Sequence, residues 1–298
     1  MNKSFTLIEI LVVIVIIGII SGFIIVSMSG VSNKATVAKG RVFSNSLRNS
    51  LLINLVSEWK FDGVSGTVGQ ALGDGTAVPD SWGANSGLTY NGPILRNGND
   101  CLSGKCLYFD GTNDYVNCGN GSTLNMTTAI TISFWFNPYY SGSSEQLILY
   151  KGGPGFTSDG WRVGTKDGYV RLHYWDGATS RSVGNINYAT NQWTSVVFSN
   201  NVGNSFKTYI NGSLFGVAGV FSEGLVVNAV DFLMAGQPTY NFNGLLDEVM
   251  LYNKEISLSQ VQQNYFAGLN KLFKNNMIVL EEFNQRVAEL KNNKNTLD

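Results

Sequence analysis

Histidine is almost missing from this chain: His173 is the only one among 298 residues. One imidazole cannot build a histidine-rich metal cluster, and with no nucleophile motif near it, it completes no catalytic triad. Charge is scarce as well. Charged residues make up 14% of the chain, against about 25% in ordinary globular proteins, and the formal net charge is -1. Without a basic excess, no nucleic-acid partner is expected. Proline is limited to five residues while glycine reaches 34 and aromatics 12%, which excludes proline-rich linkers and points to many strands joined by tight turns. The three cysteines, Cys101, Cys106 and Cys118, are too few for a disulfide framework. Three single bridges are open to them, and the short loop Cys101-Leu102-Ser103-Gly104-Lys105-Cys106 favours the first pair. Closing it would add about 2 kcal/mol by loop entropy in an oxidising exterior.

Charge is also absent from most of the N-terminal stretch. Between Lys3 and Lys34 the only ionisable side chain is Glu9, inside an apolar run from Phe5 to Met28. Roughly 20 apolar residues in a helix cross a hydrocarbon core of about 30 Å, so this segment is long enough to span a membrane. No small-residue cleavage site follows the run, which argues against a signal peptide removed downstream. A carboxylate within a bilayer costs about 2.5 to 3.5 kcal/mol at the centre and calls for a partner.

The string Ser4-Phe5-Thr6-Leu7-Ile8-Glu9, followed by Ile10-Leu11-Val12-Val13 and Gly18, resembles the leader and first helix of type IV pilins and pseudopilins. That resemblance implies cleavage between Ser4 and Phe5 by a prepilin peptidase, methylation of the new Phe5 amine, and pairing of Glu9 with a neighbouring subunit's amino terminus during filament assembly. The family usually has glycine where Ser4 stands. From Val31 to Leu55, apolar positions such as Val37, Phe43, Leu47 and Leu51 keep helical spacing between Lys34, Lys39, Arg41 and Arg48, so the helix is expected to continue with an amphipathic half.

Beyond Val56 the chain breaks into short β-rich segments bounded by Gly, Asn, Asp and Ser, among them Thr131–Phe136 and Tyr169–Tyr174 with clear alternation. Strands at this spacing without intervening helices predict an antiparallel sandwich or jelly roll. Asn211-Gly212 supplies the two left-handed residues of a hairpin turn. Several strings then resemble laminin-G-like, concanavalin A-like jelly rolls: Glu58–Gly63, Asp80–Gly87, Leu107–Val116, Gln192-Trp193, Thr208–Gly212 and Asn243–Tyr252. The resemblance implies buried positions for Trp59, Phe109, Trp135 and Trp193. It also implies a candidate calcium site with Asp62, Asp80, Asn85 and Asp247 as ligands, while the same residues also suit turns. Glycosidases of this fold use paired acids alternating along one strand. Here Asp247 and Glu248 are adjacent and would point to opposite faces, so no enzyme is expected. For stacking a glycan, Trp161, Tyr174 and Trp175 are the candidates.

After the strands, Ser257 opens a helix that is expected to stop at Gly268, and Leu269 to Leu290 keep helical spacing to a C-terminal helix. The expected organisation is a leader (1–4), a pilin-type helix (5–54, with 5–28 in the membrane), a jelly roll (55–268) and a C-terminal amphipathic helix with a frayed tail (269–298). Function follows from that order: a minor pilin held in the cytoplasmic membrane before assembly, then displaying a lectin-like domain at the cell surface for adhesion to glycan or protein. The alternatives are a major pilin whose jelly roll coats the filament, or a pseudopilin of a secretion machine.

Overall fold

A computed structural model describes residues 54–152, 160–175, 179–220, 225–226, 229–236 and 239–294, all within one compact unit from Asn54 to Asp298. Ser4, Phe5, Glu9 and the helix expected over 5–54 lie outside the described residues. No described helix is long and apolar enough to cross a membrane.

The strands run in chain order as β1 (Leu55–Trp59), β2 (Ala77–Val78), β3 (Gly87–Tyr90), β4 (Ile94–Asn97), β5 (Lys105–Asp110) and β6 (Tyr115–Asn117). Next come β7 (Ala129–Pro138), β8 (Gln146–Gly152), β9 (Gly160–Lys166), β10 (Tyr169–Trp175) and β11 (Ser180–Asn187). The last are β12 (Thr194–Asn201), β13 (Ser205–Ile210), β14 (Ser213–Val220), β15 (Leu233–Met234) and β16 (Asn243–Tyr252). Two antiparallel sheets result. The first has the order β14-β13-β12-β7-β16-β5-β4, with β1 also paired to β16; the second has the order β11-β10-β9-β8-β15-β6-β3-β2.

Alternation sets each strand's inward face. In β10, Val170, Leu172 and Tyr174 are buried while Tyr169, Arg171, His173 and Trp175 are half-exposed, the period of two that a half-buried strand requires. Trp59, Phe109 and the Phe134/Phe136 pair fill the space between the sheets. The turn into β14 uses Asn211 (φ 48°) and Gly212 (φ 76°), as its sequence predicts.

β7 is buried along its whole length and β16 everywhere but at Asn243 and Met250, because the first sheet is covered on both sides. Its outer side carries two helices, α1 (Leu258–Lys274) and α2 (Leu280–Lys294). Helix α1 begins with a capping box: Ser257 Oγ accepts from Gln260 N–H, and Gln260 Oε1 accepts from Ser257 N–H. Trp135, Trp193, Leu245, Tyr265, Leu269, Leu272 and Leu290 form a second apolar cluster there. Trp135 stacks on Tyr265 with centroids 5.4 Å apart and planes 11° from parallel.

Helix α1 does not stop at Gly268; it continues to Lys274. The glycine is needed for close approach and not for termination: a Cβ there would collide with the Trp135 ring. Helix α1 ends instead at Asn275, with Lys271 and Lys274 in its last turn, where cations complement the helix dipole. Gly268→Ala is therefore expected to lower stability by about 1 to 3 kcal/mol despite alanine's better helix propensity, read as a drop in melting temperature. A higher melting temperature would show that the helix seat tolerates the extra carbon.

Candidate functional site

The carboxylates named as candidate calcium ligands hold the backbone together. Asp80 Oδ1 accepts N–H bonds from Glu58 (2.9 Å), Trp82 (3.0 Å) and Gly83 (2.9 Å), and Oδ2 accepts from Asn85 (3.0 Å). Asn85 is buried, its amide donating to Ser57 Oγ (2.7 Å) and Thr123 Oγ1 (2.9 Å). Asp62 and Asp247 act elsewhere, on the Cys101–Cys106 loop: Asp62 Oδ1 accepts from Lys105 N–H (2.9 Å) and Asp247 Oδ2 from Ser103 N–H (3.2 Å). The four thus form two separate pairs. Ca²⁺ wants six to eight oxygens, and among the described residues no three acidic, histidine or cysteine side chains gather where a metal could sit. Asp80, whose two oxygens already accept four N–H donors, does not suit a cation ligand.

The loop itself is closed by a disulfide between Cys101 and Cys106, with Cα atoms 5.3 Å apart. Both cysteines are fully buried beneath α1 and α2. Cys118 is a buried free thiol.

Asp247 and Glu248 do not point to opposite faces. The register of β16 shifts between Asp247 and Met250, and Glu248 takes a left-handed backbone (φ 49°), the signature of a bulge that re-aims a side chain. Glu248 consequently pairs with Lys271 of α1, while Asp247 reaches the disulfide loop. Burial first, then the neighbouring Glu248, raises the Asp247 carboxyl far above the usual carboxylate range.

Two of the three aromatic candidates also fall away from the surface. Trp161 and Tyr174 are each 5% exposed and belong to the core between the sheets. Trp161 contacts Phe232 and Tyr174 contacts Phe206, at centroid distances of 5.7 Å and 4.8 Å. Trp161 is a strand residue of β9 that faces inward in phase with Val163, and Tyr174 is in phase with Leu172. Only Trp175 lies on the outward face, half-exposed at the end of β10.

That outward face of the second sheet carries no described helix, and of its residues sequence reasoning weighed only His173 and Trp175. Leu88, Asn117, Leu233, Tyr150, Arg162, His173 and Ser182 are direct register partners across seven neighbouring strands. Partners of this kind share a face, with Cβ atoms about 4.5 to 5.5 Å apart. At the centre of the row is a cleft of about 580 Å³ lined by Asn91, Asn113, Tyr115, Asn117, Tyr150, Asp231 and Leu233, among others. This is the size of a small-ligand site.

Tyr115 stacks on Tyr90 at 4.9 Å, which stiffens one wall. Asn117 Nδ2 donates to Asp231 Oδ2 (2.9 Å), and Asn91 Nδ2 to the Asn113 carbonyl (3.0 Å). Next to the cleft, Arg162 pairs with Glu145 at 3.4 Å. Burial, with Arg162 and Arg171 nearby, lowers the His173 pKa to about 4, so the imidazole is neutral at physiological pH. The signal that could have found this cleft is the alternation of Tyr115 with Asn117 and of Asp231 with Leu233. The sequence holds no sign that these two short segments, more than a hundred residues apart, are neighbours.

Residues 110–262, more than half of the chain, match the model of the concanavalin A-like lectin/glucanases superfamily. The chain belongs to that superfamily. Residues 1–25 match the prokaryotic N-terminal methylation motif, so the protein joins a type IV pilin-like N-terminus to a lectin-like jelly roll. That motif implies processing by a prepilin peptidase and assembly with other pilin subunits. No curated protein sequence matches the chain.

Solved structures share the fold at low identity. The binding domain of Paraclostridial Mosquitocidal Protein 1 has a TM-score of 0.57 at 17% identity, over 74% of this chain and 53% of that one. The binding domain of botulinum neurotoxin DC, solved in complex with rat synaptotagmin II, has a TM-score of 0.55 at 13% identity, over 73% and 52%. A botulinum neurotoxin type C structure, concerned with cell entry dependent upon two ganglioside molecules, has a TM-score of 0.55 at 14% identity, over 74% and 53%. This superfamily member spans about half the length of those chains.

Two outcomes are expected from the site's chemistry. A ligand bound only to the native state raises its stability, so a chelator should leave the melting temperature unchanged; a clear drop would restore a calcium site. For His173 the folded pKa is depressed below the ordinary 6.5. Its contribution to stability is therefore full above about pH 6.5 and is lost as pH falls toward 4. His173→Gln should flatten that part of the stability curve in denaturant titrations, and an unchanged slope would mean the imidazole is solvated.

Proposed function

We propose that this chain is a minor-pilin-type subunit: its N-terminal helix enters the filament, and its jelly roll binds a glycan or protein on another surface for adhesion. The observation that carries this reading is the ligand-sized cleft on the sheet face opposite the one that α1 and α2 cover. Packing protects one side of the sandwich, and the other offers polar and aromatic groups. The similarity to binding domains of toxins supports a binding role for the fold. The protein is held in the cytoplasmic membrane through Phe5 to Met28 before assembly and stands at the cell surface afterwards.

The domain binds and does not catalyse. Its adjacent acids, Asp247 and Glu248, are buried under α1 and engaged by Ser103 and Lys271, which closes this pair to hydrolysis. Glu9 pairs with the Phe5 amine of a neighbouring subunit, where low dielectric makes the contact register-specifying.

Leu233→Arg, placed in the cleft between Asn117 and Tyr150, should reduce adhesion of the native host at least tenfold. Its subunit should still appear in sheared filaments with a methylated N-terminus at Phe5, read by mass spectrometry of the N-terminal peptide. Unchanged adhesion with high abundance in filaments would favour a structural coat. An intact Met1 found only in membranes would make the protein an anchored lectin-like domain, and a methylated subunit confined to the cell envelope would favour a pseudopilin.

A further inference from the structure

We infer that the cleft takes the guanidinium of an arginine carried by a partner protein, with Asp231 as its counter-ion. This rests on the reading of the domain as a binding module and names the partner's chemistry.

Asp231 is oriented by protein groups alone. Gly119 N–H donates to Asn117 Oδ1 at 2.7 Å, which fixes the amide so that Nδ2 faces Asp231 Oδ2 at 2.9 Å. The second oxygen of Asp231 receives no donor among the described residues. An arginine can donate to that oxygen and, through its second terminal nitrogen, to the lone pairs that Oδ2 keeps.

Charge sets the class. Asp231 lines the cleft, and no lysine or arginine does. Lys151 donates to the Val230 carbonyl at 2.8 Å, but it is the register partner of the inward-facing Trp161 and so belongs to the other side of the sheet. Arg162, opposite Tyr150 on the outward face, is paired with Glu145. A second carboxylate stands on the Tyr115 side of the cleft, where Asp74 Oδ1 accepts from Asn91 N–H at 2.7 Å. Burial, then Tyr90 and Asp74, raises the Tyr115 hydroxyl above its usual pKa. A partner's cation meets complementary charge here, and an anion meets repulsion.

Shape favours a guanidinium over an ammonium. Tyr115 lines the cleft half-exposed, its ring stacked on Tyr90 with planes 12° from parallel. Tyr115 and Asn117 lie two residues apart on β6, on one face and about 6 to 7 Å from each other. A planar guanidinium can lie on the ring while its edge reaches the carboxylate beside Asn117, whereas an ammonium is a compact, strongly hydrated point charge. Leu233 offers apolar surface to the methylene stem of the arginine.

The test uses the full chain purified in detergent, with saturation-transfer NMR and calorimetry. The probes are acetyl-Gly-Arg-Gly-amide and the same peptide with lysine, citrulline or glutamate in place of arginine; citrulline keeps the shape of arginine without its charge. The arginine peptide should bind at least tenfold more tightly than the citrulline peptide, more tightly than the lysine peptide, and more weakly as ionic strength rises. Asp231→Asn should bring arginine and citrulline within twofold of each other at an unchanged melting temperature. Asn117→Ser, which removes the amide that fixes the carboxylate, should narrow the same preference and serves if the first variant is unstable. Arginine bound no better than citrulline or lysine, or a preference that survives Asp231→Asn, overturns the inference. The binding-module reading then stands if adhesion is lost in Leu233→Arg, which brings a guanidinium to the cleft from within. Binding of no peptide, with adhesion lost in that variant, overturns the inference in favour of an uncharged ligand. Binding of no peptide with adhesion intact in that variant overturns both.

Discussion

Trp135 lies parallel to Tyr265 and against the bare backbone of Gly268, and this seating holds α1 on the outer side of the first sheet. Much of the architecture follows from it. The strands at the centre of that sheet become buried on both faces, the disulfide loop is enclosed, and polar ligand chemistry is left to the opposite side of the sandwich. Aromatic stacking of this kind adds about 0.5 to 1.5 kcal/mol beyond area burial. A ring of that size also needs a glycine opposite it, so one side-chain choice in β7 constrains a residue in α1.

The acidic residues share an unexpected task. Asp80, Asp62 and Asp247 each accept backbone N–H bonds from segments distant in sequence. Asp80 ties the start of the domain to the loop that follows β2, and the other two hold the disulfide loop from either side. Buried backbone donors must be satisfied, and a carboxylate can satisfy several at once. With only 14% charged residues, the chain uses these acids for internal cohesion.

The sandwich was legible because its signals are local. Alternation in β10, the Asn211-Gly212 turn and the burial of Trp59, Phe109, Trp135 and Trp193 depend on the residue and its immediate neighbours. Phase alone also places Tyr174 inside, in step with Val170 and Leu172, and the surface role expected for it gave way to that rule. Trp161 was expected to stack a glycan, while strand β9 begins at Gly160 and turns that ring inward. The continuation of α1 past Gly268 depends on a ring contributed by β7, and the direction of Glu248 on a bulge. Neither leaves a mark in the local pattern. The cleft is harder still to foresee, since β3, β6, β8 and the segment around Asp231 meet only through the topology of the second sheet.

The pairing of β1 with β16 also matters mechanically. β1 is the first strand of the domain, matched antiparallel to β16 from Leu55 opposite Tyr252 to Trp59 opposite Val249, and reinforced where Asp80 holds Glu58 N–H. Tension arriving along the chain from its N-terminal side enters the domain at this strand. Pulled along its axis, β1 loads its ladder in shear, so several hydrogen bonds must fail together while Trp59 is drawn out of the core.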